Sequence, residues 1–313
     1  MKPKIYIDGQ EGTTGLQIYE RLGGRDDIEL LLIDEDKRKD AVERAKLLNA
    51  ADLVFLCLPD DAAREAVSLV ANEHTRIIDC STAHRTRPDW AYGFPELSQL
   101  HRKMIGEFSR VSNPGCHATG FISAVYPLVA AGLLPANCPL TCFSLTGYSG
   151  GGKKMIAQYE GEKGNALYSP RIYGLTQSHK HLPEMQIRCG LAVAPVFCPI
   201  VDDYYKGMAT TISIHSGLLR CDKSAREIWE VLSVHYRGQP LIQVAPLNWN
   251  ESMIAANTMA GKDTLTLIVC GSEDGERATV TALFDNLGKG ASGAAVQNMN
   301  LMLGFEETKG LIL

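Results

Sequence analysis

The first hundred residues alternate short apolar runs with amphipathic stretches of helical length. Strands are predicted at Lys4–Asp8, Ile28–Ile33, Ala51–Leu58 and Arg76–Asp79. Helices are predicted from a glycine-rich turn to Leu22 and over Asp61–Asn72. The continuous run Ile28–Ile33 is typical of a strand buried inside a parallel sheet. Strands separated by helices predict a doubly wound α/β fold with a parallel sheet.

The second half of the chain has a different pattern, in which strands follow strands. Strands are predicted at Leu140–Thr146, Met208–His215, Leu265–Gly271 and Arg277–Phe284, the last two joined by a turn at Ser272–Gly275. The first of them leads into the glycine-rich loop Gly147–Lys153. A small-residue helix is predicted at Gly290–Leu303. The pattern indicates a second, α+β domain with a mixed or antiparallel sheet.

Composition and charge argue against several classes of protein, which are the nucleic-acid-binding, the exported or membrane, and the zinc- or disulfide-stabilised proteins. The 313 residues favour two domains, and 45% hydrophobic with 21% charged residues is ordinary for a globular protein. A net charge of −5 offers no basic surface for nucleic acid. No signal-peptide pattern or apolar run of about 20 residues indicates export or a membrane span. Nine cysteines without C-x-x-C spacing argue against a zinc site or a disulfide framework. We therefore expect a soluble, cytoplasmic protein without a metal.

Glycines recur at the first strand-to-helix turn, where a doubly wound sheet binds a dinucleotide. They are Gly9, Gly12 and Gly15, in the spacing G-x-x-G-x-x-G. The following helix would point its N–H groups at a pyrophosphate. A tight turn needs glycine even without a ligand, so the spacing alone is weak. After the second strand, Asp34 would suit the ribose of NAD, whereas Lys37 and Arg38 would suit the extra phosphate of NADP. The residues leave that choice open.

Cys116 is the strongest candidate for a catalytic residue. It follows the turn Asn113-Pro114-Gly115 and precedes the small residues that open an apolar segment, Phe121–Leu134. If this segment is a helix, its N-terminus favours a thiolate at Cys116, and a thiolate is a nucleophile. For the other eight cysteines we expect ordinary buried side chains.

Two further clusters carry chemistry. Ser178–Glu184 holds His179, His181 and a carboxylate, and histidine is the side chain whose pKa suits a base for a thiol. A packed pair, or a metal-free pair at the surface, is the alternative interpretation of this H-x-H spacing. Arg85 follows the fourth strand, at the sheet edge where ligands bind, and its planar fork suits an anion. Pairing with a surface acid is the alternative there.

Taken together, these elements resemble the N-acetyl-gamma-glutamyl-phosphate reductases, in the shorter, type 2 form of that family. The resemblance runs nearly end to end and includes Gly9–Gly15, Asp79–Arg85, Tyr92–Glu96, Ser112–Thr119, Gly147–Lys153, His179–Glu184 and Asp285–Asn300. The Asn-Pro-Gly-Cys element and the late Asp-Asn-Leu to Gln-Asn-Met-Asn element are specific. The glycine turn is not.

The resemblance implies a fold and a reaction. Residues 1–115 with 286–313 would form a Rossmann-like NADP-binding domain to which the C-terminal helix returns, and residues 116–285 a catalytic and oligomerisation domain. Cys116 would displace phosphate from N-acetyl-glutamyl 5-phosphate, a small-molecule substrate, to give a thioester. NADPH would reduce the thioester to a thiohemiacetal that releases N-acetyl-glutamate 5-semialdehyde, in arginine biosynthesis. A homo-oligomer, dimer or tetramer, is expected.

The resemblance also assigns roles to individual residues. His181 would be the base, and His179 would lie closer to the phosphate. Substrate contacts would come from Arg85, Asn113, Ser149 and Glu184. Cofactor contacts would come from Gly9, Gly12, Thr13, Thr14, Gly15, Lys37, Arg38, Ser81, Gly150, Asn286 and Asn298.

The sequence differs from the family pattern at two positions, and two alternative functions are left open. The usual Gly-Ala-Ser-Gly start is Gly-Gln-Glu-Gly here, which places Glu11 near a phosphate site. His117 follows the cysteine where the longer type more often has an aromatic residue, and it is an alternative local base. The rivals are another phosphorylating semialdehyde dehydrogenase, acting on aspartyl phosphate or a carrier-linked aminoadipyl phosphate, and a non-catalytic NADP- or redox-sensing protein.

Overall fold

The computed structural model describes residues 1–220, 224–250 and 252–313. The chain divides into two compact units. The first comprises Met1–Gly115 with Ala291–Leu311, and the second comprises Cys116–Gly290 with Ile312–Leu313. Cys221, counted above among the ordinary cysteines, lies outside the described residues.

The first unit is built on a parallel sheet of six strands. These are β1 (Lys4–Asp8), β2 (Glu29–Leu31), β3 (Leu53–Leu56), β4 (Arg76–Asp79), β5 (Ala91–Tyr92) and β6 (Arg110–Ser112), in the order β2-β1-β3-β4-β6-β5. Its first four helices are α1 (Thr13–Leu22), α2 (Ala41–Ala50), α3 (Asp60–Leu69) and α4 (Gln99–Glu107). Every strand pair is parallel, so the predicted α/β fold is confirmed.

The strand predicted at Ile28–Ile33 is shorter than expected and is not buried. Only Glu29–Leu31 forms β2, which lies at the edge of the sheet with Glu29 exposed. The glutamate interrupts the apolar run, and an edge strand has a partner on one side only. The prediction of a buried position was therefore wrong.

The second unit is built on a mixed sheet of seven strands. These are β7 (Thr141–Gly147), β8 (Arg171–Ile172), β9 (Val196–Asp202), β10 (Met208–His215), β11 (Ile242–Val244), β12 (Leu265–Gly271) and β13 (Arg277–Phe284), in the order β11-β12-β13-β10-β7-β9-β8. Its helices are α5 (Cys116–Ala130), α6 (Gly152–Glu160), α7 (Leu182–Arg188) and α8 (Ala225–His235). The pairs β7–β9 and β11–β12 are parallel and the others antiparallel, which confirms the predicted mixed sheet.

The last helix, α9 (Gly293–Leu303), belongs to the first unit, as predicted. Its buried face adds Ala295, Val296 and Met299 to the same core as Ile5 and Phe55. A π-helical turn at Gly288–Ser292 precedes it, so the α-helix begins later than the predicted Gly290. Within the described part of the chain, no helix is both long and apolar enough to cross a membrane.

Helix α5 packs closely on the mixed sheet and is buried along most of its length. A Cβ at Gly120 would lie 2.5 Å from Oγ1 of Thr210 on β10 and 2.9 Å from the ring of Phe284 on β13. Glycine therefore permits the helix to approach the sheet. This packing fixes the first turn of α5, which carries Cys116.

Candidate active site

Cys116 is the first residue of α5 and is partly exposed. The expected helix at this point is therefore present, and it begins at the cysteine itself. A Cβ at Gly290 would lie 3.1 Å from the Cβ of Cys116, so the absence of a side chain there leaves room around the cysteine. At the N-terminus of a helix, backbone N–H groups lack partners within the helix and favour an anion, which suits a thiolate.

The residue after the cysteine is fully engaged in hydrogen bonds. His117 is 2% exposed; its Nδ1 lies 2.7 Å from Oγ of Ser144 and its Nε2 lies 2.6 Å from the hydroxyl of Tyr173. Oγ of Ser144 in turn lies 2.8 Å from Oγ1 of Thr210. Burial lowers the pKa of His117 to about 3, with a smaller contribution from nearby His179, so the ring is neutral at neutral pH. With both nitrogens engaged, the geometry argues against the alternative in which His117 is the base for Cys116.

His179 and His181 lie beside this ring and beside each other. The ring centroids are 4.8 Å apart, and they lie 5.7 Å and 5.8 Å from the centroid of His117. The backbone N–H of His181 donates to Nδ1 of His179 at 3.2 Å. A neutral His179 therefore carries its proton on Nε2. Burial, followed by the charge of Lys180, lowers the pKa of His179 to about 4, so the ring is neutral at neutral pH.

Helix α7 positions the second histidine of the pair. His181 is its N-cap residue, with 5% exposure, and its carbonyl oxygen accepts from the backbone N–H of Met185 at 2.9 Å. Glu184 lies in the first turn and is buried. Across the described ranges, no group of three histidine, cysteine or acidic residues has the arrangement of a metal site. The structure thus brings Cys116, both histidines and Glu184 into the second unit.

A carboxamide orders the glycine-rich loop after β7. Nδ2 of Asn286 donates to Oγ of Ser149 at 2.9 Å, and its Oδ1 accepts from the backbone N–H of Gly207 at 2.8 Å. A Cβ at Gly150 would lie 3.5 Å from Nδ2 of the same carboxamide. Asn286 thus bonds within the second unit, which includes residues 286–290; the domain predicted from the sequence for these residues was the first.

The glycine turn of the first unit is tightly packed and leaves a helix N-terminus uncapped. A Cβ at Gly9, whose φ is +89°, would lie 2.4 Å from the carbonyl oxygen of Cys57, and one at Gly15 would lie 2.4 Å from that of Gly9. Gly12 is the N-cap of α1, and no side chain from the described residues bonds to the free N–H groups there. Oγ1 of Thr13 is buried with no hydrogen-bond partner among the described residues. Thr13 and Thr14 open the helix.

The basic residues after β2 pair with acids. Nη1 of Arg38 lies 3.6 Å from Glu11 and 3.7 Å from Glu35, and Nζ of Lys37 lies 3.2 Å from Asp34. Glu11, the departure in the glycine turn, therefore faces a guanidinium. These pairs are exposed, so each contributes little to stability and can be exchanged for a ligand.

Arg85 and Ser81 are held by their own strand ends. Nε of Arg85 donates to the carbonyl oxygen of Asn113 and Nη2 to that of Cys80, each at 2.9 Å. Oγ of Ser81 donates to Asp79 at 2.8 Å. Both side chains are buried. The guanidinium edge that would fork an anion is thus occupied by the backbone, which favours a structural role for Arg85.

Asn113 and Asn298 form a buried pair in the first unit. Oδ1 of Asn113 accepts from Nδ2 of Asn298 at 3.0 Å, and its Nδ2 donates to the carbonyl oxygen of Ala291 at 3.0 Å. Nδ2 of Asn298 also donates to the carbonyl oxygen of Gly93 at 3.0 Å. Oδ1 of Asn298 is buried with no donor among the residues that the structure describes. A buried acceptor in that condition is costly unless a ligand satisfies it.

Known proteins resemble both units. The semialdehyde dehydrogenase NAD binding domain matches residues 32–105, and the semialdehyde dehydrogenase dimerisation domain matches residues 116–286. The chain is 49% identical to N-acetyl-gamma-glutamyl-phosphate reductase 2 of Nostoc sp. over 99% of both chains. It is 50% identical to N-acetyl-gamma-glutamyl-phosphate reductase of Sinorhizobium medicae over 97% of this chain and 99% of that one. The chain belongs to the N-acetyl-gamma-glutamyl-phosphate reductase family.

Solved structures of other proteins share the fold of this reductase. Aspartate semialdehyde dehydrogenase II from Vibrio cholerae, complexed with ASA, matches with a TM-score of 0.75 over 97% of this chain and 99% of that chain. Aspartate semialdehyde dehydrogenase from Francisella tularensis matches with a TM-score of 0.71 over 95% and 99%. Identities of 15% and 13% limit the likeness to the fold.

The sequence did not predict three residues of this reductase's candidate site, which are Ser144, Tyr173 and Thr210. Ser144 and Thr210 are register partners on β7 and β10, and their hydroxyls meet only because those strands pair. Tyr173 follows the two-residue strand β8, and its backbone N–H donates to the carbonyl oxygen of Pro199 at 3.0 Å. The alternation of hydrophobic and polar residues in β10 predicted a buried face of that strand. No sequence motif indicated that the three residues lie together.

Proposed function

We propose that the chain reduces N-acetyl-L-glutamyl 5-phosphate to N-acetyl-L-glutamate 5-semialdehyde and phosphate, in arginine biosynthesis. Near-50% identity to N-acetyl-gamma-glutamyl-phosphate reductases over almost the whole length carries this proposal. The position of Cys116 at the start of α5, in the same unit as His179 and His181, supports it.

The residues of the second unit account for the acyl-transfer chemistry. Cys116 attacks the acyl carbon as a thiolate, and phosphate leaves as the thioester forms. His181 holds the proton of the thiol and later returns one to the oxygen of the thiohemiacetal. His179, neutral and protonated on Nε2, donates a hydrogen bond toward the phosphate. The hydride that converts the thioester to the thiohemiacetal is the chemistry that NADPH supplies when bound.

The first unit fits a dinucleotide. The uncapped N-terminus of α1 and the partnerless Oγ1 of Thr13 suit a pyrophosphate, because both would gain hydrogen bonds to its oxygens. Gly12 has room where a Cβ at Gly9 or Gly15 would collide with backbone. Oδ1 of Asn298 needs a donor, which a carboxamide N–H would provide. Thr14 and Ser81 complete the proposed contacts.

Lys37 and Arg38 select NADP over NAD in this proposal. Both are exposed on the segment after β2, where a doubly wound fold places the adenosine ribose. Their present partners, Asp34, Glu11 and Glu35, are exposed carboxylates that a ribose phosphate can displace.

We also propose which residues bind the substrate. Ser149 and Glu184 are proposed to bind the acetylated amino acid, and both lie in the second unit. Arg85 and Asn113, which the resemblance also assigned to the substrate, bond within the first unit, and for Arg85 we propose a structural role instead. Gly150 and Asn286 act in the proposal by shaping the loop beside Ser149.

We propose a homo-oligomer, dimer or tetramer, whose contact involves the outer face of the mixed sheet. Phe143, Ile172 and Val196 are 43%, 60% and 54% exposed. Strand register places all three on the same face of β7, β8 and β9. A contiguous exposed apolar face is typical of a protein interface, and the matching family model is a dimerisation domain. A cytoplasmic location stays a prediction from the sequence.

The reverse reaction tests the function directly. Purified protein, N-acetyl-glutamate 5-semialdehyde, phosphate and NADP should together generate NADPH, and omission of phosphate should abolish it. Aspartate 4-semialdehyde is the matched substrate control. Greater turnover of the aspartate compound would favour the rival dehydrogenase, and no turnover of either would favour a non-catalytic protein.

Variants test the roles. Cys116→Ser should abolish activity, because a hydroxyl does not ionise at neutral pH. His181→Asn should slow turnover by about 10² to 10⁴-fold, whereas His179→Asn should mainly raise the KM for phosphate. If His179→Asn lowered turnover far more with the KM for phosphate unchanged, the two roles would have to be exchanged.

A further inference from the structure

An ion pair joins the glycine turn after β1 to the segment after β2. Nη1 of Arg38 lies 3.6 Å from Oε2 of Glu11. Strands β1 and β2 are neighbours and run parallel, so both segments follow strands at the same edge of the sheet. A doubly wound fold binds a dinucleotide at this edge. The ion pair therefore lies where the ribose phosphate of NADP is proposed to bind.

The backbone on both sides of this ion pair is held by hydrogen bonds. In the glycine turn, the N–H of Gly12 donates to the carbonyl oxygen of Gly9 at 3.0 Å. After β2, Arg38 ends the 3-10 turn Glu35–Lys37, and the N–H of Asp40 donates back to that turn at 2.8 Å. The two charged side chains are 42% and 62% exposed, so they can exchange partners while their backbones stay near each other.

A phosphate that binds Arg38 must compete with carboxylates. The guanidinium lies 3.6 Å from Glu11 and 3.7 Å from Glu35. Once displaced, the carboxylate of Glu11 remains on the glycine turn near the phosphate, and like charges repel. NADH carries a hydroxyl in place of this phosphate, so its binding does not require the ion pair to open. An alanine or serine in the glycine turn, as in the Gly-Ala-Ser-Gly pattern, would not compete.

We propose that Glu11 is a specificity-determining residue, which weakens the binding of NADPH relative to NADH by competing with the ribose phosphate for Arg38. The inference rests on the proposed function in taking the segment after β2 as the site of that phosphate. It adds a residue that acts against the selection of NADPH, because the repulsive group stands beside the attractive one.

Equilibrium binding tests the proposal without turnover. The Kd values of NADPH and NADH are measured from the fluorescence of the reduced cofactor, at low and at high salt. Glu11→Gln removes the charge and keeps the size of the side chain. Glu20→Gln, at an exposed position on α1, makes the same change in net charge away from the pair and is the control. Arg38→Ala, alone and combined with Glu11→Gln, completes a double-mutant cycle.

Glu11→Gln should lower the Kd for NADPH by about two- to fivefold, the size expected for an exposed ion pair, and leave the Kd for NADH nearly unchanged. The gain should shrink at high salt, which screens exposed charges, and should be smaller when Arg38 is alanine. Glu20→Gln should leave the ratio of the two Kd values unchanged. No gain for NADPH, an equal gain for both cofactors, or the same gain with and without Arg38 would overturn the proposal.

The same measurements separate this inference from the proposals on which it rests. If Arg38→Ala left the Kd for NADPH unchanged, the proposed site of the ribose phosphate would be wrong and the role of Glu11 would fail with it. If Arg38→Ala weakened NADPH binding while Glu11→Gln had no effect, only the role of Glu11 would be refuted. A failed reverse assay together with the expected Kd values would refute the proposed reaction alone.

Discussion

Acid should destabilise this protein through His117, and replacing that residue should remove part of the effect. The folded pKa is about 3 because the ring is buried, against 6.5 for a free histidine. As the pH falls through 6.5, the unfolded chain takes up a proton that the folded chain does not. The free energy of unfolding therefore decreases from pH 6.5 down to about pH 3. The slope is about 1.4 kcal/mol per pH unit, or about 2 kcal/mol lost by pH 5.0. His179, with a folded pKa of about 4, acts with the same sign.

The assay is urea unfolding at pH 7.5 and pH 5.0, at one protein concentration because assembly contributes to stability. His117→Gln does not titrate, so its loss between the two pH values should be smaller than that of the wild type by about 2 kcal/mol. His74→Gln, at an exposed position, is the control and should lose as much as the wild type. Equal losses in wild type and His117→Gln would refute the argument that burial holds this imidazole neutral.

Three further predictions concern binding, stability and assembly. Arg85→Lys should lower the free energy of unfolding by about 1–3 kcal/mol, because a lysine cannot reach both carbonyls; unchanged urea unfolding with a raised KM for the semialdehyde would instead support a substrate contact. Lys37→Ala with Arg38→Ala should raise the KM for NADPH and leave that for NADH nearly unchanged. Equal rises for both cofactors would show that these residues do not bind the ribose phosphate. Phe143→Lys should reduce the sedimentation coefficient, and an unchanged one would exclude that sheet face from the interface.

The parts of the fold predicted from sequence are those in which a local pattern matches a buried face. The strands Lys4–Asp8, Arg76–Asp79 and Met208–His215 were predicted with the observed bounds. Strand β9 (Val196–Asp202) was not predicted, because Pro199 argues against a strand and only pairing with β7 and β8 specifies it. Strands of two or three residues, such as β5, carry too little pattern to be recognised.

The residues of the candidate site were likewise predicted only where a local motif marks them. The turn before Cys116 and the pair of histidines are local motifs, so sequence reasoning could identify them. The hydroxyls of Ser144 and Tyr173 contact His117, and that of Thr210 contacts Ser144. These contacts depend on the pairing of strands and the packing of α5, which no spacing along the chain reveals. Arg85 was predicted to bind an anion because it follows a strand at the sheet edge where such folds bind ligands. Its hydrogen bonds to backbone carbonyls depend on where β4 and β6 end.

The discontinuity of the first unit has a consequence for the order of folding during synthesis. Asn113 and Asn298 are 185 positions apart in sequence yet share a buried hydrogen bond, and α9 supplies part of the core. A nascent chain that has just released residue 115 therefore holds an incomplete core, and contacts of such separation close slowly. The second unit is continuous except for its last two residues. The core of the first unit, although most of it is synthesised first, is thus completed only after α9 has been made.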